Sequence, residues 1–197
     1  GYFYYAYLTG LSDGSNLDNL VVASSKDGKK WINGGLVIPQ ADVSGFEDKE
    51  NIWVDNSHSS PHYGRIYLAW VHFNDLSGQE GGAGMIAWSD DRGKTWSSPV
   101  NVIDAIVKFS EIRTGKHGEV FLSFSIEDSQ ESGQHYLFVS TDGGSSFTPN
   151  IISDYVLFPK NQNYRPSLKG FQGFRAYHYI THDVDRLPTR TPLVIGF

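Results

Sequence analysis

The feature that most constrains the fold is an eight-residue pattern, Ser-x-Asp-x-Gly-x-x-aromatic, that recurs along the chain. It reads SDDRGKTW at 89–96 and STDGGSSF at 140–147, and a copy one residue shorter, SKDGKKW, occupies 25–31. The final aromatic residues of successive copies are 65 and 51 residues apart. A pattern that returns at such a period predicts structural units that repeat and stack on one another.

Short alternating apolar runs flank every copy of the pattern. NLVVAS, GMIAWS and HYLFVS come before the three copies, and NGGLVIP, SSPVNVI and TPNIIS come after them. Alternation predicts strands, and Asp, Ser and Gly between two strands favour a turn. Further alternating runs, such as GRIYLAWVHF and GEVFLSFSI, lie upstream. Each unit therefore predicts four antiparallel strands, with the pattern between the third and the fourth.

Repeated four-stranded units of this length are typical of a β-propeller. We predict an all-β chain that forms one propeller domain or fragment over 1–197 and covers about four blades. Two blades are whole and two are partial; their expected ranges are 1–40 (partial), 44–103, 105–154 and 158–197 (partial). The missing strands would come from the rest of the chain or from another copy. A twisted β-sandwich would explain the alternation but not the recurring pattern.

Composition excludes several kinds of site. The formal net charge of −6 and the lack of a basic run argue against a nucleic-acid partner. The chain has no cysteine, which excludes disulfides, thiolate zinc sites and a cysteine nucleophile. No apolar run approaches the ~20 residues that a membrane-spanning helix needs, so we expect no membrane span.

The recurring pattern resembles the Asp-box, or BNR repeat, of the sialidase (neuraminidase) superfamily. The stretch FEDKENIWVDNSHSSPHYGRIYLAWVHF is also similar to bacterial sialidase-like repeat proteins. The resemblance implies a six-bladed propeller in which the boxes fasten turns remote from the active site. The box residues are Ser25, Asp27, Trp31, Ser89, Asp91, Gly93, Trp96, Ser140, Asp142, Gly144 and Phe147. In such turns the serine and the acid would satisfy backbone N–H groups, and the aromatic residue would pack between sheets.

The resemblance also implies a site in which three arginines hold a sugar carboxylate, beside a tyrosine nucleophile, a glutamate and an acid/base aspartate. We expect these groups at the starts of the inner strands. The candidate catalytic residues are Tyr164, Glu111 and Asp48, and the candidate substrate-binding residues are Arg113, Arg165 and Lys49. The segment YRPS at 164–167 departs from the family's Phe/Tyr-Arg-Ile-Pro signature. The alternative for Arg113 is an ion pair with Glu111.

Other ligands have weaker signals, and we expect no cofactor. DNSHSSPH at 55–62 offers oxygen donors for Ca²⁺ but a single carboxylate, which favours an ordinary turn. Asp13 and Asp18 fit a solvated loop. His178 and His182 would lie about 13 Å apart on a strand, too far for one zinc ion. Trp53, Trp70 and Tyr164 are possible stacking platforms for sugars.

Two hypotheses for function follow. The first is a sialidase-like exo-glycosidase that acts on sialylated or related glycans outside the cytoplasm, in the extracellular space or the periplasm. The second is a non-catalytic propeller that binds glycans or proteins or serves as a structural module. The first needs convergent basic side chains beside a Tyr/Glu pair, whereas the second needs only a completed ring.

Overall fold

The computed structural model describes residues 1–9, 19–38, 45–74, 81–127, 132–156, 181–184 and 193–196. These residues form strands joined by turns, and they contain no helix, hence none that could cross a membrane. The strands are β1 (Phe3–Thr9), β2 (Asn19–Ser25), β3 (Ile32–Leu36), β4 (Phe46–Val54), β5 (Ile66–Phe73), β6 (Gly82–Ser89), β7 (Val100–Asp104), β8 (Ile106–Thr114), β9 (Val120–Glu127), β10 (Ser132–Ser140), β11 (Thr148–Val156), β12 (Thr181–Val184) and β13 (Leu193–Gly196).

The strands assemble into successive antiparallel sheets in chain order. The first sheet has the order β1-β2-β3, the second β4-β5-β6-β7 and the third β8-β9-β10-β11, and β12 pairs with β13. The prediction of an all-β chain with four-stranded antiparallel sheets is confirmed, and the arrangement is propeller-like. The strands predicted within 158–180 lie outside the described residues.

The second sheet is covered on both faces. Along β5, Tyr67, Ala69 and Val71 point into one apolar core, which they share with the third sheet. The alternate residues Leu68 and Trp70 point into another core, shared with the first sheet. Because side chains alternate along a strand, a strand buried on both faces must be apolar throughout. This burial explains the unbroken apolar run in GRIYLAWVHF and excludes a two-layer sandwich.

Close packing fixes the spacing between the second and third sheets. The ring of Phe124 on β9 is fully buried and lies over Gly84 on β6. A Cβ atom at position 84 would lie 2.6 Å from that ring, so a larger residue would force the sheets apart. Phe124 also makes an edge-on contact with Phe138, with the ring centroids 5.8 Å apart. Apolar burial of this kind is the main stabilising term.

The first strands of the second and third sheets, β4 and β8, are called the inner strands below. They lie side by side in parallel, because hydrogen bonds join them at a constant offset of 61 residues. Ser110 Oγ donates to the Lys49 carbonyl at 2.8 Å, and Trp53 Nε1 donates to Thr114 Oγ1 at 2.9 Å. Between them, the backbone N–H of Ile112 donates to Asn51 Oδ1 at 3.3 Å.

Both inner strands carry a β-bulge at the same level. The register of β4 against β5 shifts between Asp48 and Asn51, and that of β8 against β9 shifts between Lys108 and Ser110. Lys49 and Phe109, the residues at the bulges, have φ angles of 58° and 55°. Non-glycine residues rarely adopt this left-handed conformation. Bulges re-aim side chains and are common next to functional sites.

The structure corrects two predictions about position. Because only Ala105 separates β7 from β8, the inner strand begins at Ile106, and Glu111 and Arg113 fall in its second half rather than at its start. Trp70 is 1 % exposed within the core between the first and second sheets, so it offers no platform for a sugar.

Candidate functional site

Two copies of the recurring pattern form turns of the same design. In the turn after β6, Ser89 Oγ donates to Asp91 Oδ1 and accepts from the Gly93 N–H at 2.8 Å. Asp91 Oδ1 also accepts from the N–H groups of Lys94 and Thr95 at 3.1 and 2.9 Å. In the turn after β10, Ser140, Asp142 and Gly144 repeat these bonds, with Ser145 and Ser146 as donors. We call the three turns, at 25–31, 89–96 and 140–147, the box turns.

The first box turn forms equivalent hydrogen bonds with one residue fewer. Asp27 Oδ1 accepts from the N–H groups of Lys29 and Lys30 at 2.8 and 2.9 Å, and the Gly28 N–H donates to Ser25 Oγ at 2.9 Å. Asp27 therefore accepts from the N–H groups of the residues two and three positions after it, whereas Asp91 and Asp142 accept from those three and four positions after them. This shortening explains why the glycine and the tryptophan of this copy come one residue early.

Hydrogen bonding stabilises the ionised form of all three box aspartates. Backbone and side-chain donation by Thr95 lowers the pKa of Asp91 to about 2, and donation chiefly by Ser146 lowers that of Asp142 to about 2. The pKa of Asp27 is also lowered, mainly by the N–H groups of Lys30 and Lys29. A carboxylate held ionised by its own turn is a poor proton donor, which suits a structural role.

The box turns also join neighbouring sheets. The Gly35 N–H of β3 donates to the Gly93 carbonyl at 2.9 Å, so the second box turn docks on the first sheet. Arg65 bridges the second and third box turns: its Nε and Nη2 hold Asp90 at 2.8 and 2.9 Å, and its Nη1 donates to the Gly143 carbonyl at 3.0 Å.

The aromatic residues of the three copies differ in environment. Trp96 packs against the core between the first and second sheets, and Phe147 against the core between the second and third. Trp31 does not fill such a space: it is 44 % exposed and touches Tyr5 edge-on. For Trp31 the predicted packing between sheets is wrong, because no described strand covers that face of the first sheet.

The predicted site residues on β4 form an ion pair. Lys49 Nζ lies 3.1 Å from Asp48 Oδ2, and both side chains are more than a third exposed. The Lys49 ammonium also sits 5.7 Å from the centre of the Phe109 ring, on the next inner strand. These contacts follow from the bulge, which turns Lys49 toward β8.

The predicted site residues on β8 form a second, more buried cluster. Arg113 Nη1 pairs with Glu111 Oε1, and Asn51 Nδ2 donates to Glu111 Oε2 at 3.3 Å. The Arg113 guanidinium lies 4.4 Å from the centre of the Trp53 ring, and its Nε is 3.7 Å from Asp183 Oδ1. Burial raises the pKa of Glu111, although Arg113 acts in the opposite direction. The ion pair is the alternative that the sequence left open for Arg113.

The two pairs do not lie together. The offset of 61 residues places Arg113 beside position 52, four positions along β4 from Asp48. Because of the bulge, this span equals three residues of β5, from Val71 to Leu68, so at ~3.3 Å per residue Asp48 and Arg113 are about 10 Å apart along the strands. Tyr164 and Arg165, predicted to complete the site, lie outside the described residues, as does His178.

Glu50 is a functional candidate that the sequence reasoning did not select. It follows Lys49 in the β4 bulge, its side chain is half-buried, and its own backbone N–H donates to its carboxyl group. Burial raises its pKa, the hydrogen bond from its own N–H acts in the opposite direction to a smaller extent, and the neighbouring Asp48 adds to the rise. A carboxyl group that keeps its proton more readily than usual is suited to proton donation. The bulge that aims Glu50 leaves no reliable mark in a single sequence.

The residues weighed as metal ligands in the sequence take part in turn and core hydrogen bonds. Asp55 is buried and accepts from the Ser57 N–H at 3.0 Å and from Ser60 Oγ at 2.5 Å. His182 is buried, its Nδ1 lies 2.9 Å from Ser123 Oγ, and burial lowers its pKa to about 4. Within the part of the chain that the structure describes, no three His, Asp or Glu residues are placed to hold a metal ion. Asp13 and Asp18 lie outside that part.

Comparison with known proteins finds similarity in structure alone. No protein-family model matches the sequence, and no curated protein matches it. An α-L-arabinofuranosidase from Fusarium graminearum, solved as its E242A mutant with an iminosugar inhibitor, matches with a TM-score of 0.58 at 15 % identity, over 95 % of this chain and 50 % of that one. A protein of unknown function from Dyadobacter fermentans matches with a TM-score of 0.53 at 20 % identity, over 100 % of this chain and 53 % of that one.

These likenesses concern the fold. At 15–20 % identity they show that the sheets are arranged as in these proteins. The chain spans about half the length of the solved structures it matches. Fold alone does not determine chemistry, so any activity must be argued from the site.

Proposed function

We propose that this chain is part of a carbohydrate-processing, propeller-like exo-glycosidase whose site lies along the inner strands. The observation that carries the proposal is Glu50, a half-buried carboxyl group that no other described side chain hydrogen-bonds, aimed by a strained bulge and with a raised pKa. Glycoside hydrolysis needs such a group to protonate the leaving oxygen. The structural likeness to an arabinofuranosidase supports the same reaction class.

The second cluster would contribute binding. The indole of Trp53 and the polar groups of Asn51 and Arg113 lie side by side between the inner strands, on the face of β4 opposite to that of Glu50. Sugars offer apolar ring faces and hydroxyl groups, and such a mixture of groups suits both. Asp48, Glu111 and Lys49 remain part of the proposed site, together with Tyr164 and Arg165.

The assignment to a particular type of propeller and to a location in the cell is also a proposal. We infer that the box turns are Asp-boxes of a six-bladed, sialidase-type propeller that acts in the extracellular space or the periplasm. The recurring pattern and its hydrogen bonds support this view. A sialidase needs arginines free for a substrate carboxylate, whereas Arg113 is held by Glu111. Hydrolysis of sialosides and hydrolysis of uncharged glycosides must therefore be measured separately.

The test measures hydrolysis of 4-methylumbelliferyl glycosides by the longest natural chain that contains this sequence. The panel includes α-L-arabinofuranoside, β-galactoside and α-sialoside. We expect turnover of at least one substrate, and a loss of about 10²–10⁴-fold in kcat/KM in Glu50→Gln, as for other general acids. Asp154→Asn, an exposed acid on the outer strand β11, is the matched control and should keep full activity. Full activity of Glu50→Gln would contradict the assignment.

A second candidate function is a glycan-binding module without catalysis. The observation that favours it is that Lys49 and Arg113 both have acidic partners within the chain. Calorimetric titration with the glycans of the panel distinguishes the two. Binding without turnover of any substrate would support the module and contradict hydrolysis.

A further inference from the structure

A carboxylate–imidazole pair that the site described above does not include lies on the second sheet. Glu47 on β4 and His72 on β5 are directly opposite one another in the strand register. His72 Nδ1 lies 2.8 Å from Glu47 Oε1. The first residue of β5 lies opposite Ser89, at the second box turn. His72 is near the last residue of β5, so it lies at the end of the sheet away from the box turns.

The two partners differ in exposure. The Glu47 side chain is 3 % exposed, and its Oε2 atom is buried without a hydrogen-bond partner among the described residues. The His72 side chain is 23 % exposed. A buried carboxylate is costly unless it is paired, and His72 supplies that pairing through Nδ1. Nε2, to which no described residue is hydrogen-bonded, is therefore the nitrogen that can exchange a proton with a ligand.

Glu47 dominates the electrostatics of His72. Its hydrogen bond raises the pKa of His72, and burial acts in the opposite direction to a smaller extent. The residue opposite His72 on β6, the other neighbouring strand, is the uncharged Ala83. An imidazole held through one nitrogen by a buried carboxylate, with its other nitrogen not bonded to any described residue, is the arrangement that serves general-base catalysis.

The pair shares a sheet face with Glu50. His72 and Trp70 are two residues apart on β5 and therefore point to the same face. The β4 bulge sets Lys49 and Glu50 against Trp70, and alternation from Asn51 turns Glu50 to that face. Glu50 and His72 are therefore diagonal neighbours on adjacent strands, a relation that spans about 7–8 Å between backbone positions. In inverting glycosidases the proton donor and the base are about 6.5–9.5 Å apart, which leaves room for a water molecule.

We propose that His72, oriented by Glu47, is the general base for the glycoside hydrolysis proposed above, on which this inference rests. Water oxygen bonds to the anomeric carbon while one water proton passes to Nε2 of His72. The bond from that carbon to the leaving oxygen breaks as Glu50 gives that oxygen its proton. Solvent then takes the proton from His72 and returns one to Glu50. Glu47 is a positioning residue that accepts from Nδ1–H of His72 and stabilises the imidazolium.

The test uses the substrate of the glycoside panel that the wild-type chain turns over. We expect His72→Gln to lower kcat/KM by about 10²–10⁴-fold and to abolish the rise in kcat/KM with pH that reports loss of a proton from His72. Glu47→Gln should move that rise to lower pH, because the neutral amide of glutamine holds the His72 proton less strongly than the carboxylate does. His58→Gln, an exposed histidine at the box-turn end, is the matched control and should match the wild type.

Chemical rescue separates catalysis from folding. In His72→Ala, sodium azide should restore turnover and yield a glycosyl azide of inverted configuration, since azide needs no base. An active wild type whose pH profile and kcat/KM are unchanged in His72→Gln would overturn the base role but leave the proposed function standing. A wild type that hydrolyses nothing in the panel would instead overturn the proposed function, and the base role with it.

Discussion

The pKa values of the acids in the box turns and of those on the inner strands are shifted in opposite directions. Asp91 and Asp142 accept several hydrogen bonds within their own turns, which lowers their pKa values to about 2. Glu50 and Glu111 are half-buried in the sheet, and burial raises their pKa values. Acids with lowered pKa values stabilise the fold in their ionised form, whereas acids with raised values are available to hold and transfer a proton.

In a repeat of this kind, catalytic acids are expected on the inner strands rather than in the box turns. The box turns contain the more conspicuous acids, yet every box aspartate is occupied by backbone N–H groups. The inner strands contain less conspicuous acids, such as Glu50, whose pKa burial raises, and Glu47, whose Oε2 has no hydrogen-bond partner among the described residues. Each prediction below tests one side of this contrast.

The largest effect should come from a buried serine of a box turn. Ser89→Ala removes the acceptor for the Gly93 N–H, which is then buried without a partner. We expect the free energy of unfolding to fall by about 1–3 kcal/mol, measured by urea denaturation. Ser98→Ala, an exposed serine after the same turn, is the control and should change it by less than about 0.5 kcal/mol. Equal effects of the two substitutions would contradict the role assigned to Ser89.

The bridge between box turns should have the next largest effect. Arg65→Ala removes the paired bonds to Asp90, the bond to the Gly143 carbonyl and the contact with the Trp88 ring. Because the pair with Asp90 is partly exposed, we expect a loss of about 1–2 kcal/mol in the same assay. Arg65→Lys should recover less than half of that loss, since an ammonium cannot form the planar fork. Full recovery with lysine would show that charge alone is needed.

Acid should destabilise the fold through the box aspartates. Their folded-state pKa values lie below the unfolded value of about 3.9, so their contribution is present above pH ~4 and is lost as the pH falls toward about 2. The melting temperature of the wild type should therefore fall steeply in that range. In Asp91→Asn/Asp142→Asn the slope there should be smaller. An identical slope in the double variant would assign acid unfolding to other groups.

The smallest expected effect is a gain in the free energy of unfolding rather than a loss. Because the folded-state pKa of Glu50 is raised, its protonation favours folding, and this contribution is lost as the pH rises through that pKa. At pH 7 the ionised carboxylate therefore opposes folding. We expect Glu50→Gln to raise the free energy of unfolding by a few tenths of a kcal/mol, although it removes activity. A clear loss of stability in this variant would point to a structural role for Glu50.

The sequence predicted the sheets well, because their signal is local. Apolar runs, unbroken in β5 and alternating with serine in β9, marked the strands, and the recurring pattern marked the turns that follow β6 and β10. The start of β8 was placed too late, since the residue between β7 and β8, Ala105, carries no turn signal.

The candidate site was harder to predict, since it depends on register and on bulges. The acids of β4 and β8 were identified by residue type, but the offset between the inner strands decides which of them meet. The pairing of Glu47 with His72 requires the register of β4 against β5, which the bulge at Lys49 changes. The raised pKa of Glu50 arises from burial by distant parts of the chain, which no local pattern reports.

The most direct test of this account is a carboxyl-carbon NMR titration that follows Asp91, Asp142, Glu50 and Glu111 in one sample. The account predicts pKa values near 2 for both aspartates. For the two glutamates it predicts values above the ordinary value of about 4.3 for glutamate. Ordinary values for all four groups, or a pKa for Glu50 below that of Asp142, would contradict the division between structural and proton-holding acids.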